Sequence, residues 1–146
     1  MRGVIAQLEG GAETGVAERD VHVIDMEASI EHLSRGTLRY VDALLIVVEP
    51  YFRALETAAR TVKLARDLQI PHLFAVANKV RSPQDEQAVR DYCAGHDLPV
   101  MAVVPFDEEV TRADRAGAAL FDAAPESAAV RAVAALVEEL KAQLGL

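Results

Sequence analysis

Four short apolar runs constrain this chain more than any other feature: Val21–Asp25, Ala43–Val48, His72–Ala77 and Val100–Val104. Each is largely continuous instead of alternating apolar with polar residues. That pattern suits strands buried on both faces, and so a mainly parallel sheet covered by helices. Parallel neighbours need a crossover of about a dozen residues or more, and the connections are all long enough for one.

The connections carry helical signals. Phe52, Leu55, Ala59, Val62, Ala65 and Leu68 recur at helical spacing. Pro83 to Ala94 reads as a second helix, acidic at its start, with Ala88, Val89 and Tyr92 on one side. Asp107 reads as an N-cap, with Glu108 and Glu109 favoured in the first turn by the helix dipole. That helix is short and stops near Gly117. Val130, Val133, Val137, Leu140 and Leu144 form a core-facing stripe on a last helix, which Gly145 ends. Val4, Ile5 and Leu8 suggest a short helix at the start, followed by a loop from Glu9 to Gly15. The expected fold is one doubly wound α/β domain over residues 1–146. Its sheet has four mostly parallel strands, with helices on both faces.

Composition excludes several function classes. The 146 residues are ample for one core. The longest apolar run, Ala43 to Val48, is too short for a membrane span. Met1-Arg2-Gly3 leads into no signal-peptide block, so a cytoplasmic location is expected. A net charge of -8 disfavours non-specific binding to nucleic acid or anionic lipid. The lack of Trp disfavours the aromatic platforms that bind single strands. Cys93 is the sole cysteine and cannot form an internal disulfide; it reads as a buried, inert thiol in a reducing compartment.

The candidate site residues follow from where the runs end. Asp25 closes the first, and an acid at the carboxyl end of a buried parallel strand is where nucleotide-binding α/β proteins hold a metal ion or its water. Glu49-Pro50, Asn78-Lys79 and Pro105-Phe106-Asp107 close the others. All four ends would then share the edge where doubly wound folds bind ligands. The Asn78 amide offers a donor and an acceptor, which suits a purine edge. Phe106 would cover the face of a base, and Lys79 and Arg81 would neutralise phosphate. Each has a plainer alternative: a loop-capping acid for Asp25, a turn residue for Asn78, a core anchor for Phe106, and solvated charges for Lys79 and Arg81. Glu27, Glu31 and His32 have metal-ligand composition but match no zinc spacing. His22, His72 and His96 are scattered and read as structural.

Taken together, the residues are familiar. The segment Val23-Ile24-Asp25-Met26-Glu27-Ala28-Ser29-Ile30-Glu31-His32-Leu33-Ser34-Arg35-Gly36-Thr37 resembles the second switch region of MinD/ParA-type P-loop ATPases. Its nearest likeness is the CooC branch, accessory ATPases that help load nickel into carbon monoxide dehydrogenase. Leu45-Ile46-Val47-Val48-Glu49-Pro50, Val76-Ala77-Asn78-Lys79-Val80-Arg81 and Val104-Pro105-Phe106-Asp107-Glu108-Glu109-Val110 extend the likeness, as do Ala113-Asp114-Arg115-Ala116-Gly117 and Asp122-Ala123-Ala124-Pro125-Glu126-Ser127. The resemblance implies ATP or ADP with Mg²⁺ as cofactor. It makes Asp25 the switch acid that orders Mg²⁺-bound water, Asn78 the adenine reader, and Pro105, Phe106 and Asp107 the lining of the base pocket. It implies a homodimer or a complementing N-terminal part as partner, and a metalloenzyme client such as carbon monoxide dehydrogenase.

The chain departs from that family pattern. It has no first strand, no Walker A loop with its lysines, no first switch and no cysteine pair; Ser29 stands where the family usually has Gly. Walker A amides cradle the phosphates and its Ser/Thr holds Mg²⁺, so the chain alone is expected to be inactive as an ATPase. The rival reading is a degenerate interaction module without ATP hydrolysis. In the family, the strand leading into the phosphate loop lies between those ending at Asp25 and Val48. Its absence leads to the expectation that these two close up and pair directly, or that a partner fills the gap.

Overall fold

The computed structural model describes residues 21–26 and 41–146. The described residues form three parallel strands in the order β1-β2-β3: β1 (Ala43–Val48), β2 (His72–Val80) and β3 (Val100–Pro105). Ala43 pairs with His72 and the register runs unbroken to Val48 with Ala77. Helix α1 (Phe52–Asp67) links β1 to β2, and α2 (Pro83–Ala94) links β2 to β3. Two crossovers of the same hand moving one way across a sheet put both helices on one face. Beyond β3 come α3 (Glu108–Arg115), the single turn α4 (Leu120–Ala123) and α5 (Ala128–Leu144).

The helices start where their sequences say. Ser82 Oγ accepts the Asp85 N–H at 3.1 Å, with Pro83 pre-set for the first turn. α1 buries Leu55, Ala58, Val62 and Ala65, a helical stripe. These pack with Ile46, Val48, Ala75, Ala77, Val89 and Cys93 into the main core. Val48, Val62, Val89 and Cys93 have almost no exposure, and burial pushes the Cys93 thiol up from its ordinary pKa. On the opposite face, Ala129 of α5 packs on Val76 and Val104, joined by Ala132 and Leu136. The sheet is therefore doubly wound, as expected.

Among the described residues the expected fourth strand is not formed. Val21–Asp25 has no strand pairing, and Val21 and Val23 are 61% and 92% exposed. It neither closes onto β1 nor joins the sheet. Apolar β-branched residues favour a strand only where a complementary edge is offered. Here Met26 packs instead against the buried Ala65 and Ile70, in a cluster that also takes in Val41, Leu44, Leu68 and Leu73 at the amino end of the sheet. The stripe on α5 is also corrected. Its inner face is Ala129, Ala132 and Leu136, whereas Val133 and Val137 are exposed. The expected first helix, the loop 9–15 and the switch residues Glu27, Ser29, Glu31 and His32 lie outside the described residues.

Candidate functional site

β2 runs three residues past its expected end at Ala77, through Asn78 and Lys79 to Val80. The register against β3 is irregular there, with Ala77 opposite Val103 and Val80 opposite Pro105. Lys79 absorbs the irregularity at φ 56°. A left-handed backbone at a residue with a Cβ costs roughly 1–2 kcal/mol, and such strain gathers at functional sites. Two contacts hold it. The Lys79 N–H donates to Asn78 Oδ1 at 3.0 Å, and Lys79 Nζ donates to Glu49 Oε1 at 2.6 Å. The ion pair, partly exposed, links the carboxyl ends of β1 and β2.

The same edge continues on β3. The Phe106 N–H donates to the Val80 carbonyl at 2.8 Å. Asn78 and Phe106 thus sit at adjoining ends of neighbouring strands, as the sequence led one to expect. The face of Phe106 is not bare, however: the Arg81 guanidinium carbon lies 3.4 Å from its ring centroid. A cation at that range is drawn to the ring's negative face. Asp85 Oδ2 fixes the Arg81 backbone by accepting its N–H at 3.0 Å. Sequence reasoning missed this stack because its partners come from different strands.

Asp107 is a structural clamp. Its Oδ1 accepts the Glu109 N–H at 3.0 Å, the expected cap of α3. Its Oδ2 accepts the Ala129 N–H at 3.1 Å, at the start of α5. The Ala129 amide, then that of Glu109, holds the carboxyl below its ordinary range, against a partial desolvation. Both oxygens face inward to the protein's own helices. Pro105, half-buried, closes β3 beside Val80.

Asp25 does not join this cluster. It is exposed, and its neighbour Met26 is seated at the amino end of the sheet, opposite the edge that carries Asn78 and Phe106. Without a pairing partner, nothing draws this segment along β1 to the carboxyl edge. A shallow, open cavity of about 360 Å³ also lies at the amino end of β3, lined by Arg90, Ala94, Asp97, Leu98, Pro99 and Val100. Among the described residues, no group of three or more His, Cys, Asp or Glu side chains is placed to hold a metal ion.

The cluster therefore offers a side-chain amide, whose N–H groups have no partner among the described residues, and a guanidinium over an aromatic ring, on the carboxyl edge of a parallel sheet. Among the described residues beside them, Lys79 pairs with Glu49 and the Arg81 guanidinium lies over the Phe106 ring. Comparison with known proteins supplies the lineage. The chain is 46% identical over 103 residues to the carbon monoxide dehydrogenase accessory protein CooC of Rhodospirillum rubrum, covering 70% of this chain and 38% of that protein. The chain is related to CooC and shares the fold of the MinD/ParA-type P-loop ATPases. It is also 43% identical over 104 residues to an uncharacterised ATP-binding protein of Methanocaldococcus jannaschii, covering 70% of this chain and 40% of that one. Among solved structures, the septum site-determining protein MinD of Pyrococcus horikoshii, complexed with Mg-ADP, superposes with a TM-score of 0.60 at 23% identity. That match covers 71% of this chain and 43% of MinD, and shows the shared fold. No protein-family model matches the chain. The chain thus spans about two fifths of the length of the curated relatives it matches.

Proposed function

We propose that this chain is the base-binding C-terminal portion of a CooC-like ATPase. The observation that carries the reading is Asn78 set beside the Arg81–Phe106 stack on the carboxyl edge of β2 and β3. In this reading Asn78 reads the adenine, and Pro105 and Phe106 shape the base site. Asp107 acts at one remove, by fixing the two helices behind it. Asp25 takes its role toward Mg²⁺-bound water only where a further strand seats Val21–Asp25 against β1. ATP hydrolysis and metallocentre maturation, with carbon monoxide dehydrogenase as client and nickel as cargo, belong to the intact protein.

A second reading, as an interaction module, is favoured by a separate observation. β1 is an edge strand among the described residues, and its own Val47 is 63% exposed. Val133 and Val137 of α5 are exposed as well. An unpaired apolar edge is a template for another chain, whether a complementing N-terminal part or a second copy. Among the described residues, no helix is long and apolar enough to cross a membrane.

Titrating the chain with adenosine, ADP and ATP tests the first reading. All three are expected to bind weakly, with dissociation constants on the order of 1 mM, because the phosphates find no cradle. Asn78→Ala should remove that binding. Micromolar ATP affinity that survives Asn78→Ala would contradict the assignment.

A further inference from the structure

The geometry points to Arg81, not Phe106, as the surface on which the purine stacks. This rests on the reading of the carboxyl edge as a base site and names the group that sets its selectivity. The guanidinium carbon lies 3.4 Å over the Phe106 centroid, so the Arg81 head group occupies the ring face that a base would otherwise take. Both layers are anchored through backbone: Arg81 by its N–H on Asp85 Oδ2, Phe106 by its N–H on the Val80 carbonyl. Among the described residues, no carboxylate lies within ion-pairing distance of the Arg81 guanidinium. The side chain is exposed. One side of the head group is therefore spent on Phe106, while Arg81 as a whole stays exposed and so within reach of a ligand.

A planar, weakly hydrated cation stacks well on π-systems, and arginine planes serve as base platforms in nucleic-acid recognition. The Phe106 ring below fixes the plane in advance, so little rotamer freedom is lost when a base arrives. Asn78, two residues before the Val80 carbonyl that holds Phe106, has its Oδ1 already tied to the Lys79 N–H. Its NH₂ group, without a partner among the described residues, then has donors to spare for a base edge. A stack with adjacent amide donors favours a large purine with ring-nitrogen acceptors over a pyrimidine. Lysine in place of Arg81 would keep the charge but lose the plane.

The test titrates ADP, UDP and pyrophosphate into the isotopically labelled chain while following the Arg81 Nε–H and Phe106 ring resonances. In wild type, ADP should shift Arg81 Nε–H upfield through the base ring current, and pyrophosphate should leave it unmoved. Arg81→Lys should weaken ADP roughly tenfold and bring the ADP-to-UDP affinity ratio close to one. Phe106→Leu, which removes the supporting ring, should do the same to a smaller degree. Circular dichroism checks that the variants stay folded, and the wild-type shifts stand without them. Unchanged ADP affinity and selectivity in Arg81→Lys would overturn the inference, as would a pyrophosphate shift equal to that from ADP. Tighter ADP binding in Arg81→Ala would overturn it too, since Arg81 would then be shielding the preferred ring. If wild type binds no ADP at all, the base-site reading itself fails.

Discussion

Val47 and Val48 are neighbours on β1 with opposite fates, and this makes the open face of the sheet measurable. Val48 is fully buried among the α1 and α2 side chains, whereas Val47 is 63% exposed. Val48→Ala deletes two buried methyl groups at about 0.8 kcal/mol each. The void they leave adds to this, since the fixed strand and helix cannot fully collapse, for a total of about 2–3 kcal/mol. With a urea dependence of about 1–3 kcal/mol per M, the unfolding midpoint should fall by roughly 1 M. Val47→Ala should cost less than about 0.5 kcal/mol. Urea denaturation followed by circular dichroism, at several protein concentrations, reads both. Equal losses at the two positions would refute the reasoning, because Val47 would then be covered in solution. A concentration-dependent midpoint would identify a second copy as the cover.

The isolated chain should show no steady ATPase activity, because charge on the transferred phosphoryl group would meet neither a Walker lysine nor a nest of N–H donors. Phosphate release above background that disappears in Asp25→Ala would contradict this. Ser127→Ala should destabilise the fold by about 1 kcal/mol, since Ser127 Oγ accepts the Val130 N–H that opens α5; an unchanged urea midpoint would count against that cap. Asp107 titrates below its ordinary pKa of 3.8 when folded, so its contribution is complete above that value and is lost as pH falls through the depressed one. Wild-type stability should accordingly drop more steeply than that of Asp107→Asn on acidification, and parallel pH profiles would show that the clamp carries no charge-dependent stability.

Elements fixed by local chemistry were legible in the sequence. Ala43–Val48 forms a strand with the expected bounds, and Ser82-Pro83 and Asp107 open helices as capping chemistry requires. Pairing across the chain was not legible. Val21–Asp25 has the composition of a buried strand, but a strand exists only with a neighbour, and composition carries no record of one. β2 outlasts its apolar run because a left-handed Lys79 lets the backbone continue through two polar residues. Asn78 and Phe106 were expected in one small pocket at the carboxyl edge; they lie at adjoining strand ends there, whereas the shallow cavity is at the other end. The partners of Arg81, Lys79 and the second oxygen of Asp107 come from other elements, so their roles appear only in three dimensions. α5 carries two apolar stripes, and sequence alone does not say which one faces the sheet.

The central claim, a purine site on the carboxyl edge of β2 and β3, is tested most directly by mapping backbone amide shifts of the labelled chain on titration with adenosine. The account predicts shifts concentrated at Asn78, Lys79, Arg81 and Phe106, saturating on one isotherm. Shifts confined to the cavity around Arg90 and Leu98 at the other end of the sheet, or no saturable shifts at all, would contradict it.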